Sequence, residues 1–208
     1  MALSSEQPYK LLQQCAEAAS KEPISIGAVI SVLGEKGFPI ICMLFSLPFL
    51  QPIALGPLAI AGGISFAALG WQMMHQRATP WLPQRVLNIK LSSKHWRQIL
   101  RVLNIVMKVV DIVSKERLTW LVTSTKAKQR LGLIVCLAGL LMSIPMFGIP
   151  FNNTLPALVV LAASIAEIEH DGLWVVASMC FFVITILYFT VIGWMLIRSG
   201  DLLLSWLL

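Results

Sequence analysis

An all-α integral membrane protein is the fold class that this sequence predicts, and three observations predict it. The chain is 57% hydrophobic and only 12% charged, about half the charge fraction of an ordinary soluble domain. Residues 172–198 carry no charge until Arg198, a run longer than the ~20 residues that cross a hydrocarbon core. Two more blocks, 38–74 and 131–166, are also charge-free. A mean hydropathy of +0.80 and a length of 208 residues leave no room for a large soluble enzyme domain beside the membrane part.

The elements follow in chain order. Residues 1–36 are polar and contain no apolar core of a cleavable signal, so insertion is expected to start from an internal segment. Within them, 4–20 reads as a polar helix with Ser4 or Ser5 as its cap. A second short helix begins near Ser25 and ends by Gly37, too short to span. The block 37–75 would be ~55 Å long as one straight helix. Pro48, Pro52 and Pro57 stand in its middle, and proline removes a donor and disfavours helix in the residue before it. Two helices with a break at 48–56 are therefore expected. Block 131–171 repeats the pattern with a break at 145–156, around Pro145, Pro150 and Pro156. A transmembrane helix over 172–198 and a short apolar tail over 199–208 complete the chain.

Between the blocks, residues 76–130 contain twelve Lys/Arg and two acids, Asp111 and Glu116, a balance of +10. Lys and Arg accumulate on the cytoplasmic side of short loops, so this segment is expected on the cytoplasmic side of a multi-pass membrane protein. Trp96, Leu100, Leu103, Met107 and Val110 recur at helical spacing, opposite Lys94, Arg97, Arg101 and Lys108. That is a basic amphipathic helix, suited to lipid headgroups or to the cytoplasmic face of the bundle. A nucleic-acid partner would need a basic recognition fold, which the pattern lacks. Cys15, Cys42, Cys136 and Cys180 form no C-x-x-C pair and read as small core residues.

The two blocks align with one another. Ser46 pairs with Ser143 and Pro48 with Pro145; two residues later in register, Pro57 pairs with Pro156 and Ser65 with Ser164. Two interrupted apolar segments in matching positions are the best sequence pointer to a transporter site. Broken helices leave unpaired N–H and C=O groups at membrane depth, tolerated only where protein covers them or water reaches them. The plainer alternative is a pair of hairpins whose proline and asparagine turns emerge in the far headgroup region. Solute-binding candidates are Ser46, Gln51, Ser143, Asn152, Asn153 and Thr154 at the breaks. Glu167 and Asp171 join them, because charges beside a membrane segment are functional candidates. The four-residue spacing of these two puts both on one face if that helix continues. Asp171–Gly172 equally suits a turn or a helix cap.

Other residues match a known family. The "LP" break at Leu47–Pro48, Gln72, "PWLP" at Pro80–Pro83, Ile144–Pro145, Asn153, Leu155–Ala157 and "DG" at Asp171–Gly172 resemble the ExoD family of bacterial membrane proteins, linked to exopolysaccharide synthesis. The resemblance runs from about Ile24 to Ile197. It implies a process, and a place in a bacterial inner membrane, but not a reaction. The chain departs from the family before its second block, where "SKERLTWL" has no proline.

No nucleophile–base pair, zinc motif or phosphate-binding loop stands in the sequence, so neither enzyme activity nor a cofactor nor a metal is expected. The expected architecture is two proline-broken hairpin or re-entrant repeats, a C-terminal transmembrane helix and cytoplasmic amphipathic helices. The expected function is a small repeat-type transporter of a polar or ionic solute, contacting membrane lipids. Its homodimer would close on small-residue surfaces such as Gly62–Gly63, Ala67–Ala68 and Gly132 to Gly139. The alternative is a non-catalytic accessory or scaffold protein of polysaccharide or lipid-handling machinery.

Overall fold

The computed structural model of the protein describes residues 24–207, apart from 53–54, 89, 92–97, 99–100, 102–104, 107, 109–113, 116 and 147. The helix expected over 4–20, Cys15, Lys94 and Arg97 lie outside the described residues. The described part is helical, except for a two-residue antiparallel bridge of β1 (Ile24–Ser25) with β2 (Lys90–Leu91).

Helix α1 (Ile26–Leu33) starts where Ser25 Oγ accepts the Ala28 N–H at 3.2 Å, an N-cap that satisfies one of the four orphan donors of a helix start. It stops at Gly34, whose φ of +56° suits a residue without Cβ. A short 3₁₀ turn then leads into α2 (Gly37–Ser46), which tightens into a 3₁₀ turn over Leu47–Leu50. The first break covers 51–56, inside the expected interval. Helix α3 (Pro57–Met74) begins with proline at its first position, where the missing N–H costs nothing.

Short turns α4 (Gln84–Leu87) and α5 (Trp120–Thr123) frame the basic segment. Between them Gln98, Arg101, Ile105 and Lys108 are helical and exposed. Helix α6 (Thr125–Met142) is capped by Ser124 Oγ on the Ala127 N–H at 3.1 Å. The second break runs from Ser143 to Asn153. Helix α7 (Thr154–Glu169) ends at His170 in the left-handed conformation, and α8 (Gly172–Leu207) follows directly. The tail is thus a continuation of α8 rather than a separate stub, since nothing between Arg198 and Leu207 interrupts the backbone ladder.

The bundle is built on one close crossing. Helices α3 and α6 run antiparallel with their backbones in contact. A Cβ on Gly70 would fall 2.3 Å from Cys136 N, and one on Gly139 would fall 2.4 Å from Ala67 N. Gly63, Ala67, Gly70 and Met74 meet Ser143, Gly139, Cys136 and Gly132 in that order. Each side is spaced four, three, four, the interval that keeps small residues on one helical face. Helix α7 packs on α2, on α6 and on the first half of α8. Phe66, Leu69, Leu131, Val135, Val159 and Val160 are among the fully buried side chains between them.

This crossing uses most of the small residues expected to serve a dimer, and leaves Ala68 exposed. Gly63, Gly70, Gly132 and Gly139 are filled by the partner helix of the same chain, and Gly62 carries the Phe49 ring. They offer no surface to a second copy.

Among the described residues, two helices are long and apolar enough to cross a membrane, Pro57–Met74 and Gly172–Arg198. Half of the first is buried inside the protein but only 22% of the second. Val183, Leu187, Val191 and Trp194 are exposed along it.

The α3–α6 contact generates a sharp expectation. Gly70→Val should destabilise by about 3 kcal/mol, because a Cβ there meets backbone rather than a movable side chain. Gly193, on α8, has nothing within 4 Å of an added Cβ, so Gly193→Val should leave the apparent Tm in detergent unchanged. Equal losses in the two variants would contradict the packing described.

Candidate functional site

The two breaks meet. Thr154 Oγ1 donates to the Gln51 carbonyl oxygen at 2.8 Å, joining residues 103 apart in sequence. The side chain of Gln51 turns away; its amide donates to the Pro48 carbonyl at 3.0 Å, inside its own turn. Asn152 Nδ2 donates to the Met146 carbonyl at 3.0 Å, and Asn152 Oδ1 is buried without a hydrogen bond. Asn153, 1% exposed, stands at the N-cap of α7 without a side-chain capping bond. The polar knot is therefore buried against the other break.

Ser46 and Ser143 lie at the C-terminal ends of α2 and α6. Their hydroxyls donate back to Met43 O at 2.7 Å and to Gly139 O at 2.9 Å. Both hydrogens thus serve carbonyls of their own helix, as serine hydroxyls in apolar surroundings commonly do. Of the six break candidates, the structure brings Gln51 and Thr154 into contact, with Asn152 and Asn153 adjoining Thr154 in the chain.

Glu167 and Asp171 are at the opposite end and are not on one helical face, because α7 ends at Glu169 and turns through His170. Asp171 is 0% exposed. Its Oδ1 accepts the Leu173 N–H at 2.9 Å, capping α8, and its Oδ2 accepts the Lys115 N–H at 3.0 Å. Gly172 N adds a bond to the Arg117 carbonyl at 2.7 Å, and Trp174 Nε1 donates to Ser114 Oγ at 2.7 Å. One carboxylate thus holds the end of the basic segment to the start of α8. Glu167 lines a cavity of about 260 Å³ with Phe38, Met73, Gln76, Arg77 and Lys128, walled also by Thr123 and Thr125. Two cations, Arg77 and Lys128, and one acid, Glu167, line this hollow together.

Sequence reading singled out Gln72 and the "PWLP" loop without connecting them. Gln72 Oε1 accepts the Trp81 N–H at 2.6 Å, and its Nε2 donates to the Trp81 carbonyl at 3.2 Å. Gln72 is nearly buried, so this side chain substitutes for a strand partner and closes the loop onto α3. Arg77, Thr123, Thr125 and Lys128 had no signal of their own, being four polar residues in a long basic stretch.

Asp171→Ala removes the acceptor of two backbone donors. It should cost ~1–3 kcal/mol and speed hydrogen exchange of the Lys115 amide. Unchanged exchange at Lys115 would mean that the carboxylate does not hold this segment.

A chain of similar sequence is Protein ExoD of Rhizobium meliloti, 29% identical over 178 residues, which cover 86% of this chain and 74% of that one. Another is the uncharacterized protein slr1875 of Synechocystis sp., 25% identical over 188 residues, 88% and 87% of the two chains. No solved structure matches significantly. The family model "Exopolysaccharide synthesis, ExoD" matches residues 9–191, which contain both breaks, the Gln72–Trp81 clamp and Asp171, and the chain therefore belongs to the ExoD family.

Proposed function

We propose that this ExoD-family protein is a small multi-pass inner-membrane transporter of a polar or ionic solute, acting in exopolysaccharide production, with its two breaks as the barrier. The observation that carries the reading is the Thr154–Gln51 bond. It ties two helix interruptions together, with Thr154 buried and Gln51 at the surface of the bundle, and unpaired backbone at membrane depth is tolerated only against protein or water.

The depth of that junction supports it. Tyr188 on α8 donates its hydroxyl to the Pro150 carbonyl in the second break. From Tyr188 the apolar helix continues to Arg198, ~15 Å further at 1.5 Å per residue. If α8 crosses the bilayer, the breaks end short of the far headgroups, which favours re-entrant segments over full hairpins. The helix pairing supports a duplicated origin: the first helix of each broken pair packs on the second helix of the other, α2 on α7 and α6 on α3. The aligned serines behave alike, Ser65 bonding Ala61 O and Ser164 bonding Val160 O, both at 2.8 Å. The proposal includes a homodimer, for which the exposed apolar face of α8 is available, and membrane lipid around that face.

A second reading, an accessory protein of the polysaccharide machinery, draws on the exposed helical face of Gln98, Arg101, Ile105 and Lys108. It requires a co-purifying partner that Arg101→Gln with Lys108→Gln releases.

The test between them is water accessibility. In a cysteine-free background, single cysteines at Gln51, Asn152 and Asn153 are treated with a membrane-impermeant thiol reagent from either side, with Trp120→Cys as the marker of the basic side. Transport predicts slow labelling that a bound solute blocks or that changes side with conditions. Rapid labelling of all three from the side opposite Trp120 would mean exposed turns and would sink the transporter reading.

A further inference from the structure

We infer that the basic end of the bundle carries a binding site for an anionic amphiphile, a lipid with a phosphomonoester headgroup. The phosphate would occupy the polar cavity and the hydrocarbon the groove beside it, with Arg77 at the junction. The carrying observation is that two neighbouring hollows share this one side chain. The first, about 260 Å³, presents Arg77, Lys128, Gln76, Thr123 and Thr125. The second, about 500 Å³, runs beneath α1 and is walled by Ile30, Pro80, Trp81 and Leu87 together with Arg77. A polar, positively biased hollow that opens beside an apolar groove matches the two halves of such a lipid.

The charge favours an anion. Arg77 and Lys128 oppose Glu167, a local sum of +1, within a segment whose balance is +10. Thr125 is the first residue of α6, so the positive end of that helix dipole adds to the same field. Guanidinium matches phosphate with paired donors; the Thr125 hydroxyl and the second Gln76 amide N–H add further polar contacts, while the Thr123 hydroxyl is committed to the Thr119 carbonyl at 3.0 Å.

The site is held in shape rather than left to a loose loop. Helix α3 ends as Gln76 adopts φ +54°, which turns the chain so that Arg77 follows at the wall. Gln76 Nε2 reaches the Thr125 carbonyl at 3.4 Å, and Arg77 N donates to the Gln72 carbonyl at 3.2 Å. Gln72 also clamps Trp81 through both amide atoms. The Arg77 loop is thereby pinned on both sides, between α6 and the groove. Trp81 is 62% exposed, and tryptophan rings favour the headgroup region of a bilayer. Membrane lipid supplies the apolar half without leaving the bilayer, whereas free phosphate would leave the groove without an occupant.

This inference does not rest on solute passage through the breaks, and its test reads the other end of the protein. The full chain in neutral detergent is titrated with dioleoyl phosphatidate, with dioleoyl phosphatidylcholine and with inorganic phosphate. Thermal shift and native mass spectrometry report binding. Phosphatidate should raise Tm and stay bound, and the other two should do neither. Arg77→Gln and Lys128→Gln should each weaken phosphatidate binding by at least about tenfold. Arg198→Gln, at the far end of α8, should not. Inorganic phosphate alone acting as strongly as phosphatidate would overturn the lipid assignment. Undiminished phosphatidate binding in folded Arg77→Gln would overturn the site.

Discussion

Everything in this fold depends on the backbone contact between α3 and α6. A membrane bundle cannot draw on the hydrophobic effect to press helices together, since lipid tails are as apolar as leucine; close packing and polar contacts take its place. Here two glycines on each helix, with Ala67 and Cys136 between them, bring main chains within van der Waals reach. That contact sets where α2 and α7 sit outside it, and so where the breaks that follow α2 and precede α7 can touch. Phe49 fits over Gly62 and meets Phe66 edge to face at 6.0 Å, which folds the first break back onto α3.

Polar groups are distributed so that each end of the bundle has its own fastening. At the break end the fastenings are backbone carbonyls: Gln51 O receives Thr154, Pro150 O receives Tyr188 and Met146 O receives Asn152. Proline explains one of them: Pro150 has no N–H to offer the Met146 carbonyl four residues before it. At the basic end the fastenings are side chains. Gln72 holds the loop after α3, and Asp171 holds the loop before α5 to the start of α8. Each is buried and fully used, which is the condition under which a polar group is tolerated inside an apolar bundle.

The helices and their breaks were legible because proline and charge-free length act locally. The interruptions at 51–56 and 143–153 lie within a few residues of where Pro48–Pro57 and Pro145–Pro156 point. The capping role of Asp171 was legible too, since aspartate before glycine at the head of an apolar run is a local signal. What was not legible is pairwise. Nothing near Gln72 announces Trp81 as its partner, and nothing near Arg77 announces that Thr125 and Lys128 line the same hollow. The glycines were visible as surfaces for close approach, but their sequence spacing says the same thing whether the approaching helix belongs to this chain or to another. Only the antiparallel match of 63, 67 and 70 with 143, 139 and 136 decides it.

That same crossing has a consequence for how the protein is made. Helix α3 leaves the ribosome long before α6, and the whole of segment 75–124 is synthesised in between. During that interval the glycine face of α3 has no mate, and the loop that must close is long, with an entropic cost that grows only slowly with its length. Helix α7, by contrast, follows α6 after one short break. Assembly should therefore wait for the second block and then proceed at once, with the late helices recruiting the early one. A chain stopped before α6 would carry an unmated, backbone-exposing helix, which marks it for quality control rather than for function.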